Sequence, residues 1–258
     1  MAEGLPSQQH NLDYWAHGDF VGEYARAELT PAELRVLSSY PETRGRVLEL
    51  GCGAGRLIGH LIATATDVHG LDISARMVDF CRARYPGGEY RQGDVRDLSG
   101  YPGESFDAVF AIGNLLDVFH GADRESTLAE IHRLLKPRAV LVISSHNRHF
   151  VPRVPTPTTF LFRKPGAIAR AVVRFPRRYR NHRALAPLQR FAPDYAIVND
   201  SAHDFGLLHY YITPAAQIEQ LEGHGYECVE VLDPAGDALG PGDTAERSAQ
   251  LYYVARRR

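Results

Sequence analysis

The amino-acid sequence predicts an α/β fold: a doubly wound sheet that is mostly parallel and has an antiparallel final strand. Short apolar runs alternate along the chain with amphipathic segments of helical period, as in repeated strand–helix units. The run at residues 106–112 is nearly continuous and is therefore typical of a central parallel strand buried on both faces. A glycine-rich turn at residues 51–55 joins the first predicted strand to a helix.

The chain has 258 residues and a formal net charge of −2, which by itself indicates neither a nucleic-acid nor a membrane partner. The distribution of the charge is more informative. Residues 131–192 contain 14 Lys or Arg and no Asp or Glu, so the rest of the chain is acidic. This asymmetry predicts an anionic partner for the middle segment.

The cysteines are Cys52, Cys81 and Cys228, an odd number without metal-ligand spacing. We interpret them as reduced structural thiols and predict no metal site. No run of about 18 apolar residues occurs, so the sequence predicts no transmembrane segment and a soluble, cytoplasmic protein.

Two helices are predicted within residues 1–40, before the first strand. Residues 12–27 carry apolar and aromatic side chains, including Tyr14 and Tyr24, in a broken helical pattern. Thr30-Pro31-Ala32-Glu33 then has the form of a capping box with proline at the first helical position, which predicts the start of the second helix.

The glycine turn has the features of a nucleotide-binding loop. Glycines at 51, 53 and 55 allow positive φ angles and a close approach to a ligand, and the following helix offers free N–H groups. A dinucleotide fingerprint would need a further glycine where the chain has Arg56. Glu49 would repel a pyrophosphate but attract a ligand with an ammonium and a sulfonium, such as S-adenosylmethionine.

Two acidic residues follow later strands. Asp72 ends the predicted strand at residues 67–71 and lies 21 residues after Gly51, where an acidic side chain can bind both ribose hydroxyls. Gly93-Asp94-Val95 follows the next short strand, at residues 89–92.

Together these residues resemble the class I S-adenosylmethionine-dependent methyltransferases. The likeness runs from about residue 14 to residue 256, with a gap after Ser145. It is carried by Glu49-Leu50-Gly51-Cys52-Gly53-Ala54-Gly55, Asp72, Gly93-Asp94-Val95 and Leu134-Leu135-Lys136-Pro137.

The resemblance implies a Rossmann-like sheet, a small-molecule acceptor and S-adenosyl-L-methionine as cofactor. In such enzymes the residue at Asp94 accepts a hydrogen bond from the adenine amino group, the Val95 N–H meets a ring nitrogen, and an N-terminal segment closes over the cofactor. The predicted cofactor-binding residues are Tyr14, Glu49, Gly51, Cys52, Gly53, Gly55, Asp72, Ile73, Met77, Asp94, Val95, Ile112 and Asn114.

Residues 146–208 interrupt the common fold after the fifth strand. The expected helix and two closing strands appear only at residues 213–225, 226–232 and 251–255. We therefore predict a methyltransferase domain at residues 1–145 and 209–258, with residues 1–40 as lid helices, and a basic cap at residues 146–208 that binds substrate. Within this cap, Pro176 is expected to end a helix.

The candidate general bases are His146 and, second, His120, because both follow central strands and imidazole ionises near neutral pH. Position 113 starts Gly-Asn-Leu-Leu rather than the D/N-P-P-Y/F tetrapeptide of exocyclic-amine methyltransferases, which disfavours adenine or cytosine amino groups as acceptors. The predicted substrate-binding residues are Asn114, Asp117, Arg174, Arg177, Arg178, His209, Tyr210 and Tyr211.

The leading hypothesis is O- or N-methylation of a small, anionic acceptor. A second hypothesis is methylation of a lipid or isoprenoid, with the basic segment on anionic headgroups as a peripheral membrane contact. A third is an RNA-binding methyltransferase-fold protein, although no nucleic-acid-binding module is recognisable. A fourth hypothesis is that the protein binds the cofactor but no longer catalyses methyl transfer. The intact Glu49, glycines, Asp72 and Asp94 speak against it.

Overall fold

The computed structural model of the protein describes residues 6–18, 20–150, 156–157 and 165–258. The helices within these ranges are α1 (Pro6–His17), α2 (Val21–Tyr24), α3 (Pro31–Ser39), α4 (Ile58–Thr64), α5 (Ala75–Arg84), α6 (Ala122–Leu134), α7 (Pro165–Leu185) and α8 (Pro214–Gly223). The strands are β1 (Arg46–Leu50), β2 (Asp67–Asp72), β3 (Glu89–Gln92), β4 (Phe106–Ala111), β5 (Leu135–Asn147), β6 (Arg190–Phe191), β7 (Tyr195–Val198), β8 (His209–Ile212), β9 (Tyr226–Leu232) and β10 (Gln250–Arg257).

The main part of the sheet has the strand order β3-β2-β1-β4-β5-β10-β9. Neighbouring strands from β3 to β5 are parallel, whereas β10 is antiparallel to both β5 and β9. This arrangement confirms the predicted α/β fold with a mostly parallel sheet and an antiparallel final strand.

Helices cover both faces of the sheet. Alternate residues of a strand point to opposite faces, and successive residues of β1 accordingly belong to two different hydrophobic clusters. Leu48 packs in a cluster with residues of α6 and α8, while Val47 packs in one with residues of α3, α4 and α5. The sheet is therefore doubly wound, and its binding edge lies at the carboxyl ends of the strands.

The segment between β5 and α8 continues the sheet at this carboxyl edge. Strands β6, β7 and β8 are antiparallel to one another, and β8 runs parallel to the last two residues of β5. His146 pairs with Tyr211 of β8 and also with Gln250 of β10. Since β10 occupies one side of β5, β8 must lie on the other side, beyond the end of β4.

The sequence-based prediction that Pro176 ends a helix is wrong. Helix α7 continues through Pro176 to Leu185. Contacts to one loop residue hold the helix on both sides of the proline: Asp204 Oδ2 accepts from Arg174 Nε (2.9 Å), and the Asp204 carbonyl accepts from Asn181 Nδ2 (3.1 Å). These tertiary contacts offset the lost backbone hydrogen bond.

The N-terminal region is also more divided than expected, because residues 12–27 lie partly in α1 and partly in the short α2. The capping box at Thr30 and Glu33 is present at the start of α3. Among the described residues, no helix combines the length and the apolar character needed to cross a membrane.

One buried arginine joins several elements near the carboxyl edge. Arg124 of α6 is 1% exposed and donates to Asp117 Oδ1 (3.1 Å), to Gln217 Oε1 of α8 (2.6 Å) and to Ser145 Oγ of β5 (3.4 Å). Its guanidinium also lies 4.8 Å from the ring centre of Tyr210. Arg124 therefore connects α6, α8, β5 and β8 through a single cation.

We expect Arg124→Ala to lower the free energy of unfolding by about 3–5 kcal/mol, because it leaves the Asp117 carboxylate buried without its counter-ion. Chemical denaturation monitored by circular dichroism measures the change. The matched control is Arg258→Ala, which removes half-exposed Arg258 from a 3.7 Å ion pair with Glu222 and should cost less than about 1 kcal/mol. Equal losses in the two variants would contradict the role given to Arg124.

Candidate active site

A cavity of about 290 Å³ opens at the carboxyl ends of β1, β2 and β4, in the size range of small-molecule sites. The glycine turn, the N-terminal helices and the insertion all contribute to its wall. Its lining residues are Leu12, Trp15, Tyr24, Glu49, Gly51, Cys52, Gly53, Ala54, Arg56, Asp72, Ile73, Ser74, Met77, Asp94, Val95, Ile112, Gly113, Asn114, Leu115, Val118, Phe119, His146, Ala202, His203 and His209.

Most of the predicted cofactor-binding residues line this cavity. Two do not. Tyr14 packs instead against Trp15 and Phe20, with ring centres 6.0 and 5.3 Å apart. Gly55 has a φ of +76° and faces the Tyr85 ring, where a side chain would come within 2.6 Å of a ring carbon. Gly55 thus permits the turn and its packing rather than a ligand contact.

Asp72 closes the glycine turn from the neighbouring strand. Its carboxylate accepts hydrogen bonds from the backbone N–H groups of Gly53 (2.8 Å) and Ser74 (2.8 Å). Burial raises the pKa of Asp72, and these two N–H groups oppose that rise. The side chain borders the cavity, so the carboxylate can also accept from a ligand.

Glu49 is a buried acid without a full set of partners. It is the penultimate residue of β1, and its Oε2 has no hydrogen-bond partner in the part of the chain that the structure describes. Burial raises the pKa of Glu49, an effect that the charge of Arg56 opposes. Arg56 itself is engaged by Glu33, to which its NH2 donates at 2.7 Å. A cationic ligand group would satisfy the Glu49 carboxylate.

Two further cavity residues have contrasting surroundings. The Ser74 hydroxyl is buried and has no hydrogen-bond partner within the described ranges, so it can bind a ligand oxygen. Asp94 is already paired with Arg96, whose NH2 donates to Asp94 Oδ2 at 2.6 Å. A carboxylate offers about four acceptor positions, so Asp94 retains capacity for another donor.

His146 and Asp117 form a hydrogen-bonded pair at the floor of the cavity. Asp117 Oδ2 accepts from His146 Nδ1 (2.7 Å) and from the His146 backbone N–H (2.7 Å). This arrangement assigns the ring proton to Nδ1, and Nε2 then accepts a hydrogen bond from Asn114 Nδ2 (3.1 Å). His146 and Asn114 both line the cavity, so a ligand hydroxyl can reach this nitrogen by replacing the Asn114 amide.

Asp117 therefore has a different role from the one its position in the sequence indicates. It is fully buried, does not line the cavity and accepts from Ser145 Oγ (2.5 Å) and Arg124 NH1 (3.1 Å) in addition to His146. The prediction that Asp117 contacts substrate is corrected: the carboxylate orients His146.

A second histidine–carboxylate pair lies beside the first. His209 Nδ1 is 2.8 Å from Asp200 Oδ2, which also accepts from the Tyr211 hydroxyl at 2.7 Å. The His146 ring centre lies 5.0 Å from that of His209 and 4.6 Å from that of Tyr211. Register decides this contact, because the pairing of Tyr211 with His146 brings β8 to the end of β5.

Charge is separated within the second pair. Burial opposes ionisation of both partners, but the Asp200 carboxylate raises the pKa of His209, and the His209 imidazolium lowers the pKa of Asp200. Burial also raises the pKa of Tyr211, so Tyr211 stays a neutral donor. Each partner therefore favours the charged form of the other.

The remaining predicted residues lie away from the cavity wall. His120 is buried beside the N-terminal helix, its backbone N–H donates to Gln8 Oε1 (3.1 Å), and burial lowers its pKa. Tyr210 stacks on Tyr195 with ring centres 5.2 Å apart.

Predicted substrate arginines of α7 also have partners elsewhere. Asp204 pairs with Arg174 NH2 at 2.8 Å and lies 3.9 Å from Arg177 Nε, while the Arg178 guanidinium lies 5.0 Å from the Phe205 ring centre. None of the three lines the cavity. The structure thus does not bring these arginines to the site.

Sequence reasoning missed the aromatic wall opposite the glycine turn. Trp15 and His203 line the cavity, and their ring centres are 4.9 Å apart. His203, Asp204 and Phe205 have φ angles of +48°, +57° and +59°, an unusual run for residues other than glycine. Trp15 could have been noticed as the single tryptophan of the chain, whereas no local pattern marks His203.

Comparison with known proteins agrees with this geometry. Residues 47–138 match a family described as a methyltransferase domain. YqeM of Bacillus subtilis, which bears a methyltransferase name, is 30% identical over 127 residues, or 48% of this chain and 51% of that protein. A ubiquinone biosynthesis O-methyltransferase of Cereibacter sphaeroides is 32% identical over 136 residues, or 51% of this chain and 52% of that protein. The chain spans about half the length of these curated relatives.

A solved structure extends the likeness to most of the fold. The S-adenosylmethionine-dependent methyltransferase of Mesorhizobium loti aligns with a TM-score of 0.57 at 20% identity, over 88% of this chain and 98% of that one. At this identity the alignment shows a shared fold.

Two glycine substitutions test the turn. Gly51 (φ +64°) and Gly53 (φ +52°) share a left-handed backbone, but an added Cβ at Gly51 would lie 2.7 Å from Leu115 Cδ1, whereas at Gly53 it would meet nothing closer than 4.0 Å. We expect Gly53→Ala to lower the free energy of unfolding by about 1–3 kcal/mol through backbone strain, and Gly51→Ala to lower it further. Denaturant titration of both variants measures this difference, and a larger loss in Gly53→Ala would contradict the predicted overlap with Leu115.

Proposed function

We propose that this chain, whose residues 47–138 form a methyltransferase domain of the class I type, transfers a methyl group from S-adenosylmethionine to a hydroxyl group of a small molecule. The observation that carries the proposal is the Asp117–His146 pair, which presents a basic nitrogen to the same cavity that contains Glu49 and the glycine turn.

The cavity residues fit the cofactor. Glu49 Oε2 and Ser74 Oγ are buried polar atoms without partners in the described structure, and a ligand with an ammonium group and hydroxyl groups can satisfy both. Asp72 lies between them and can bind ribose hydroxyls. When bound, S-adenosylmethionine supplies a methyl group activated by a sulfonium.

The residues of the chain supply positioning and proton removal. A hydroxyl group is a weak nucleophile, so its proton must leave as the new bond forms, and His146 Nε2 can accept that proton. Asp117 keeps the opposite nitrogen protonated and stabilises the imidazolium that results. Trp15, His203 and Phe119 border the cavity and exclude water from it.

The relatives support oxygen as the methylated atom. The Cereibacter sphaeroides protein and a protein of Penicillium expansum are both named O-methyltransferases. A base paired with a buried carboxylate also suits a hydroxyl better than a neutral amine, which reacts through its lone pair without prior proton loss. A product assay for S-adenosylhomocysteine over a panel of phenols, amines and carboxylates tests the proposal.

Cofactor binding should depend on the charge of Glu49. We expect Glu49→Gln to weaken S-adenosylmethionine binding at least about tenfold, because a hydrogen bond to a charged group contributes on the order of 1.5–3 kcal/mol. Since burial raises the pKa of Glu49, affinity of the wild-type protein should also fall as the pH drops through that pKa and the carboxyl becomes neutral. Calorimetric titration at several pH values measures both effects.

Asp79→Asn is the matched control, since Asp79 is an exposed carboxylate outside the cavity. Its affinity should equal that of the wild type. Unchanged affinity in Glu49→Gln, or equal weakening in both variants, would remove Glu49 from the site.

Turnover should distinguish the two histidines that the sequence nominates as bases. We expect His146→Gln to lower kcat by about 10²- to 10⁴-fold with cofactor affinity retained, because it removes the proton acceptor. His120→Gln should retain kcat, because His120 does not line the cavity. Steady-state assays on the best acceptor of the panel measure both, and a larger loss in His120→Gln would reverse the assignment.

A further inference from the structure

We propose that His209, held by Asp200, binds a second and negatively charged oxygen of the acceptor, next to the hydroxyl that His146 deprotonates. The inference rests on the proposed function and narrows its acceptor to one chemical class. In this class, the atom next to the one that bears the reacting hydroxyl carries an anionic substituent. That substituent is either a second, ionised hydroxyl or a carboxylate.

The first support is the position of His209. It is the first residue of β8, it lines the cavity, and its ring centre lies 5.0 Å from that of His146 at an interplanar angle of 33°. Two nearby rings on one wall can contact two oxygens of one ligand, since hydrogen bonds reach about 2.7–3.2 Å from each nitrogen.

The second support is that the two rings have complementary hydrogen-bonding roles. Asp117 contacts Nδ1 of His146, and Asp200 contacts Nδ1 of His209, so Nε2 of each ring is the nitrogen that a ligand would meet. Nε2 of His146 accepts from Asn114 Nδ2 (3.1 Å), and a ligand reaches it by replacing this amide, which also lines the cavity. Nε2 of His146 is an acceptor in the assigned tautomer. His209 is next to a carboxylate that favours its charged form, in which Nε2 is a donor.

The third support is the charge around His209. Asp200 is its direct partner, and the Asp117 carboxylate also raises the pKa of His209 against the effect of burial. Tyr211, which donates to Asp200, and Tyr210 both have raised pKa values and stay neutral. Asp200 and Asp117 thus favour the protonated form of His209, which donates a charge-assisted hydrogen bond to an anionic oxygen.

The proposal moves anion recognition from the arginines of α7 to His209. The sequence predicts an anionic acceptor from the charge of the insertion, but Arg174 and Arg177 are paired with Asp204 and lie outside the cavity wall. His209 belongs to the same insertion-derived sheet and does line the cavity.

A divalent metal is the competing use of these residues. Three possible ligand atoms, one from each of His146, Asp200 and His209, lie within 4.8 Å of one another. Imidazole and carboxylate groups are ordinary ligands of transition metals. However, His209 and Asp200 already satisfy each other through the direct 2.8 Å contact between Nδ1 and Oδ2, which needs no metal. We therefore favour the ion pair, and the test below includes the metal as an outcome.

Three nitrophenols that differ only beside the hydroxyl provide the test. Protein saturated with S-adenosylhomocysteine is titrated with 4-nitrocatechol, 2-hydroxy-5-nitrobenzoate and 4-nitrophenol, and the absorbance of the bound phenolate reports binding. We expect the catechol or the hydroxybenzoate, or both, to bind at least about tenfold more tightly than 4-nitrophenol. The probe whose affinity exceeds that of 4-nitrophenol by the larger factor shows whether the adjacent group is a hydroxyl or a carboxylate.

Variants assign the preference to a residue. His209→Gln should reduce it to less than about threefold while affinity for S-adenosylhomocysteine stays that of the wild type. Arg174→Gln is the matched control and should keep the preference, because Arg174 does not line the cavity. If His209→Gln does not fold, the ¹⁵N spectrum of the wild-type imidazoles replaces it, with His209 expected to be doubly protonated at neutral pH.

Several results would overturn the proposal. One is equal binding of the three probes to the wild type, and another is a neutral His209 ring. The preference for the catechol or the hydroxybenzoate over 4-nitrophenol would also contradict it if it survived in His209→Gln or was lost in Arg174→Gln. Loss of the preference after treatment with EDTA and its return with Zn²⁺ would assign the cluster to a metal instead. Failure of the proposed function is distinct, because it would appear as absent S-adenosylmethionine binding or as no methylated product with any acceptor.

Discussion

The geometry of the candidate active site depends on the buried ion pair between Asp117 and Arg124. Both side chains are almost completely removed from water, so each charge needs the other and a full set of hydrogen bonds. Arg124 meets this need through Gln217 and Ser145, and Asp117 through Ser145 and His146. The same contacts that stabilise the packing of α6, α8 and β5 therefore fix the orientation of the His146 imidazole.

The segment between β5 and α8 extends the sheet. Because β8 pairs with the last residues of β5, beyond the end of β4, it delivers His209 and Tyr211 to the ring of His146. The loop at residues 202–205 then reaches the N-terminal helix, where His203 packs on Trp15. The sheet edge thus carries the two histidines, and loop residues complete the wall of the cavity.

Charged side chains at the surface of this protein influence a ligand less than those in its interior. Arg174 and Arg177 of α7 are more than half exposed, and water and Asp204 both reduce their effect. Glu49, Asp72, Asp117 and Asp200 are buried at the cavity or next to it, where a single charge has a much larger influence on a ligand. This contrast explains why a count of basic residues predicted acceptor binding at α7, whereas the geometry favours His146 and His209.

The sequence by itself determined the alternating fold, the glycine turn and most of the residues predicted to line the cavity, because these depend on patterns within about one strand–helix unit. Glu49, Asp72 and Asp94 could be found from their spacing to the turn. Only the tertiary structure decided that Asp117 serves His146, that His209 lies beside it and that α7 continues through Pro176. These features depend on strand register and on contacts between residues far apart in the chain, such as Arg124 with Gln217, and no local periodicity encodes them.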